Sequence, residues 1–174
     1  AKAYHLQLEI GLRNLDEKGH RVAYQLEEPT GLPIEGWWYA TKVSRTWGAV
    51  GLRDVAVSFG TSVPRLVSCR KIADCAVDAL PWKDEPLRFI GIDAQYFSVM
   101  LLPQKPKEMW FAESWPMLAG EVRPDRKQLA NTTFRLVGVT HELAAGQSVE
   151  QEFTVFVGPK RPAILAHYEL NELI

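Results

Sequence analysis

Apolar and polar residues alternate with a period of two along several stretches of this chain, the pattern of strands that turn one face to a core. It is cleanest near the start, where Tyr4, Leu6, Leu8, Ile10 and Leu12 alternate with His5, Gln7, Glu9, Gly11 and Arg13. Asn14 to Gly19 reads as a turn, and Val22, Tyr24 and Leu26 alternate again beyond it. The two stretches predict an antiparallel hairpin with one wet face. Pro29 to Pro33 breaks the chain into a loop, and Val55, Val57 and Phe59 open another alternating strand. The stretch from Ser62 to Glu85 carries weaker signals, and Ile72 to Leu80 reads as strand and loop in preference to a short helix. Leu87 to Leu102 is largely apolar with Gly91 inside it, which predicts a central strand with a bend or bulge. Met109 to Ala112 and Trp115 to Leu118 form an aromatic, strand-like pair. Thr132 to Leu143 is a strand whose in/out pattern slips near Val137, again as at a bulge.

The last strand leads into the segment with the clearest helical pattern, and helix is scarce elsewhere. After a turn at Ala145-Gly146-Gln147, Phe153, Val155 and Val157 alternate with Glu152, Thr154 and Phe156. Gly158-Pro159 stops the strand, because proline offers no ladder donor and restricts the residue before it. Pro162 then sits where a first helical turn tolerates it, and Ile164, Leu165 and Tyr168 share one apolar face.

Short strands with turn signals about every ten residues, closed by one helix, predict an all-β sandwich. The chain's 174 residues fit one domain, 1–174, large enough to bury roughly two-thirds of its unfolded surface. A hydrophobic content of 47% with 24% charged residues suits a globular domain. A formal charge of −1 argues against a nucleic-acid binder, which carries a basic excess. No apolar run reaches the roughly eighteen residues that a membrane-crossing helix needs. The first residue is Ala, so the simplest expectation is a fragment whose membrane anchors lie outside it.

Catalytic and cofactor signatures are missing from the sequence. The four histidines, His5, His20, His141 and His167, lack any H-x-x-x-H or H-E-x-x-H spacing, so no metal site is expected. Neither a nucleophile elbow nor a Gly-rich phosphate loop occurs, and no cofactor is expected. His141-Glu142 would suit acid/base work only if a bulge turned both to one side, since neighbours on a strand point to opposite faces. Cys69 and Cys75 are too few for a disulfide scaffold, and their spacing fits no common zinc pattern. Trp37, Trp38 and Tyr39 put aromatic rings on both faces of an extended segment. That segment is either a buried strand or an aromatic contact ridge.

Three stretches carry a resemblance. Phe153 to Lys160 (FTVFVGPK), followed by a Leu/Tyr-bearing helix, resembles the end of the large periplasmic domain of the YidC/Oxa family of membrane-protein insertases. Tyr4 to Asn14, ending in Arg13-Asn14, resembles a strand of that domain, and Ile90 to Pro103 resembles its Gln-Tyr-Phe strand that ends in proline. The order matches, while Val43 to Leu87 has no counterpart. The resemblance implies a β-supersandwich related to galactose mutarotase, here in reduced or partial form. It implies a non-catalytic domain facing the periplasm, tethered to the bacterial inner membrane. Its partners would be Sec translocon components of the SecD/SecF type and nascent membrane proteins. Cys69 and Cys75 read either as two small buried or half-buried residues or, in an oxidising periplasm, as a local bridge. Lys160 and Arg161 precede the helix N-terminus, where the dipole disfavours positive charge. They read either as solvated loop residues or as a membrane-proximal contact to anionic headgroups. A second reading is a sugar-binding or mutarotase-like sandwich in which Trp37, Trp38, Trp110 or Trp115 stacks on a pyranose, and a third is a soluble periplasmic chaperone. Trp37, Trp38, Tyr39, Trp110 and Trp115 are thus the candidate ligand or partner contacts.

Overall fold

A computed structural model describes residues 3–27, 29–33, 53–83 and 85–174. In it the alternating stretches become strands. These are β1 (His5–Arg13), β2 (His20–Val22), β3 (Gln25–Glu27), β4 (Asp54–Phe59), β5 (Arg65–Val67) and β6 (Leu87–Asp93). They continue as β7 (Phe97–Pro103), β8 (Phe111–Leu118), β9 (Thr132–Gly138), β10 (His141–Leu143) and β11 (Ser148–Pro159). Two short helices, α1 (Cys69–Ala73) and α2 (Pro162–His167), and two 3₁₀ turns (Pro124–Leu129 and Asn171–Leu173) complete the described elements.

Among the described residues β1-β11-β7-β6-β4-β5 form a six-stranded antiparallel sheet, β3-β9-β8 a three-stranded one, and β10 pairs with β2. The period-two pattern gives the large sheet two apolar faces. On one face Val55, Val57, Ile90, Ile92, Leu101 and Phe153 pack with Phe111, Phe134 and Leu136 of the small sheet. On the other, Ala56, Phe89, Met100 and Phe156 are covered by Leu165, Leu170 and Leu173 of the C-terminal segment. The fold is all-β and sandwich-like with a short C-terminal helix, as the sequence predicts.

Several local expectations are corrected. The hairpin read from His5 to Leu26 does not form: β1 pairs with β11, β2 with β10 and β3 with β9. The turn is fastened elsewhere. Buried Asn14 donates from Nδ2 to the carbonyls of Lys18 at 2.7 Å and Leu143 at 2.9 Å, tying it to β10. Leu87 to Leu102 is two strands, with the Ala94 N–H donating to the Phe97 carbonyl across a tight turn. It reads as one strand because β6 and most of β7 are buried on both faces and so do not alternate. Gly91 marks a close approach and not a bulge, since a Cβ there would lie 2.1 Å from the Val99 carbonyl oxygen. The register instead shifts between Ser58 and Phe59 and between Phe111 and Glu113. The slip near Val137 is where β9 ends and the chain leaves the small sheet for β10. Within Ser62 to Glu85 a helix does form. Ser68 caps α1 by accepting from the Lys71 N–H at 3.3 Å. The helix closes where the Cys75 and Ala76 N–H groups reach back to Ile72 and Lys71.

Candidate functional site

The end of β11 and the start of α2 form a polar junction closed by both backbone and side-chain bonds. Pro159 pairs with Phe97, and the Lys160 N–H donates to the Tyr96 carbonyl at 2.8 Å. The Lys160 Nζ lies 2.8 Å from Asp93 Oδ2, with side-chain exposures of only 16% and 6%. Ser98 Oγ donates to the other oxygen of Asp93 at 2.5 Å. Burial pushes the Asp93 carboxyl above its ordinary value, and the hydrogen bonds from Lys160 and Ser98 pull it part of the way back. Lys160 is therefore the partner of a buried acid, not a cation held out to lipid headgroups. Arg161, exposed at the N-cap of α2, makes no side-chain capping bond.

The helix docks on the sheet through the residues its pattern marks. Leu165 is fully buried, and Ile164 and Tyr168 pack beside it. The Tyr168 ring lies on Phe156 at 4.9 Å between centroids, and its hydroxyl is 2.8 Å from His5 Nδ1 and accepts from the Tyr4 N–H at 3.2 Å. Arg88 of β6 holds the last turn through an ion pair to Glu172 and a bond to the Glu169 carbonyl. The start of β1, the Asp93–Ser98 turn and the C-terminal segment thus meet at one end of the large sheet.

The remaining sequence candidates are not gathered into one place. Trp37, Trp38 and Tyr39 lie outside the described residues. Trp110 packs against the core between the two sheets and donates from Nε1 to the Lys105 carbonyl at 3.3 Å, with Lys105 Nζ 5.9 Å from its ring centre. Trp115 lies opposite Arg135 on β8, next to Ser114 and Pro116, which turn into the core, so it stands on the outer side. Its Nε1 reaches Glu113 at 3.4 Å. The two tryptophans share no platform. Cys69 and Cys75 are free thiols, so the reading as a local bridge is corrected. Cys69 opens α1 facing inward, donating to the Gln128 carbonyl at 3.2 Å, whereas Cys75 is exposed beyond the helix end in left-handed backbone with φ 53°.

No acid/base pair is assembled at His141 and Glu142. Glu142 points to solvent, 3.8 Å from Arg21, while His141 Nε2 is buried without a hydrogen-bond partner among the described residues. The shallow groove beside them, about 450 Å³, is lined by Gly19, His20, Arg21, Glu142, Leu143, Ala144 and Gln147, without His141. Among the described residues no three His, Cys, Asp or Glu side chains cluster to hold a metal, and no helix is long and apolar enough to cross a membrane.

Asp93 and Ser98 are the site residues that sequence reasoning misses. A signal existed, because Asp93 is the sole carboxylate in the apolar stretch Leu87 to Leu102. A buried acid of that kind needs a partner. No family model and no curated protein matches the chain.

Proposed function

We propose that this chain is the periplasmic domain of a YidC-like insertase, a non-catalytic module that assists insertion and folding of inner-membrane proteins through protein contacts. One observation carries the reading. The stretches that bear the resemblance, far apart in sequence, fold into neighbouring strands, β1 beside β11 beside β7 beside β6, with α2 docked on their outer face. A resemblance scattered by chance over the chain has no reason to fall on one contiguous patch of one sheet. The domain's partners would be translocon components of the SecD/SecF type and the nascent chains themselves.

Fractionation of cells expressing the full gene tests it. Antibody to this domain should find it in the inner-membrane fraction and open to protease in spheroplasts. Photocrosslinkers on its surface should capture translocon subunits. Recovery in the soluble fraction, or protection from protease in spheroplasts, would sink the reading.

A further inference from the structure

The outer edge of the large sheet is a nine-residue strand, β1, and among the described residues no strand pairs with its far side. The register fixes which backbone groups that side presents. The Val157 N–H donates to the Tyr4 carbonyl and the Asn14 N–H to the Gln147 carbonyl, both at 2.9 Å. Even-numbered residues of β1 therefore exchange bonds with β11. The N–H and C=O groups of His5, Gln7, Glu9, Gly11 and Arg13 point outward. An edge this long and regular is a template for another strand unless something blunts it.

The side chains say what that strand would be. Leu6, Leu8, Ile10 and Leu12 lie on the face toward the small sheet, partly exposed, with Leu6 at 66%. They would continue into alternate apolar residues of an added strand. On the other face Glu9 lies directly opposite Glu152, and Glu150 opposite Gly11. None of these three carboxylates forms an ion pair among the described residues. Like charges facing each other across strands are unfavourable, and a basic side chain on an added strand would relieve them. The same charges disfavour a second copy, because antiparallel self-pairing at full overlap sets Glu9 against its own counterpart.

We infer that β1 is a docking edge for an extended segment of another polypeptide, one that alternates apolar and polar residues and carries a basic residue facing Glu9. The inference rests on the proposed function and deepens it, as the mode by which the domain holds a passing chain.

The probe is a fluorescent peptide matched in length to β1, alternating valine and threonine with lysine at its centre, titrated against the purified chain by anisotropy. Saturable binding is expected. Methylating alternate peptide nitrogens should weaken it by about tenfold or more, since an edge is read through backbone bonds. A central glutamate should bind more weakly than lysine, and the doubly substituted Glu9→Lys, Glu152→Lys chain should reverse that order. Gln7→Pro removes one outward N–H without touching the ladder to β11, and should cost binding while the chain stays folded. Absence of saturable binding at millimolar peptide, or undiminished binding of the methylated peptide, overturns the inference whether or not the proline variant folds. A parent chain that sediments as a dimer and becomes monomeric in Gln7→Pro also overturns it, by making a second copy the occupant. Cell fractionation separates this inference from the insertase reading, since peptide binding by a domain found in the soluble fraction would leave only the docking edge standing.

Discussion

Lys160 and Asp93 show how much a single pair can decide at the residue scale. Removing one member of a buried pair leaves the other charge in a poor solvent, at a cost of about 3–5 kcal/mol, whereas replacing both is often neutral. Burial raises the Asp93 carboxyl above its ordinary 3.8. A raised folded-state value means stability that is fully present below the ordinary value and lost as pH rises through the raised one. Lys160→Met should therefore cost about 3 kcal/mol near neutrality, where Asp93 would be ionised and unpaired. At about pH 3, below the ordinary value of 3.8, the loss should be smaller, because a raised carboxyl favours its protonated form there. The double change Asp93→Asn, Lys160→Met should recover most of the stability. Urea unfolding at both pH values checks this, and an equal loss at each would show that charge is not the cause. The thiols give a second test at this scale. Burial, with the Asp54 carboxylate adding, pushes Cys69 up to about 11. A thiol reagent at mildly alkaline pH should modify Cys75 alone in the folded chain and both cysteines after denaturation. Two unreactive thiols in the denatured, unreduced chain would mean a bridge.

At the scale of elements, α2 is too short to persist in water without a packed face. Leu165 supplies that face, fully buried against Ala56, Phe89, Met100 and Phe156. Leu165→Ala should cost about 3 kcal/mol, or roughly 6–12 °C in Tm for a chain of this size. Scanning calorimetry reads it, and an unchanged Tm would mean that the helix hangs free. This docking was legible in the sequence because the apolar spacing is local. What was not legible depended on distant partners. Tyr4 to Leu12 announces a strand in its own residues, but its partner β11 begins at Ser148, and nothing in the turn after Asn14 says that the nearer stretch will pair elsewhere. Helix α1 was hidden for a similar reason. It has five residues, and part of its hold is the bond from the Cys69 N–H to Asp54 on β4. Lys160 read as a solvated or lipid-facing cation only because Asp93 stands 67 positions away.

The whole molecule is organised by the six-stranded sheet, since both apolar clusters are built on it. Strand β4 gives Val55 and Val57 to one cluster and Ala56 to the other, and β6 likewise divides Ile90 and Ile92 from Phe89. Strands β7 and β11 divide Leu101 from Met100 and Phe153 from Phe156. Neither cluster can lose its sheet without exposing the other, so the two should melt together although chains above about 150 residues often do not unfold in one step. The indole of Trp82 lies in the cluster between the sheets, with Trp110 packed against it, on the side away from α2. Read in a chain whose other four tryptophans are changed to phenylalanine, tryptophan fluorescence therefore reports the far cluster, while far-ultraviolet circular dichroism reports the strands as a whole. Both signals should give the same urea midpoint in that chain, and Leu165→Ala should lower both by the same amount. If the fluorescence midpoint stays in place while the dichroism midpoint falls, the C-terminal layer is a separate cooperative unit, and one domain spanning 1–174 is the wrong description of the chain.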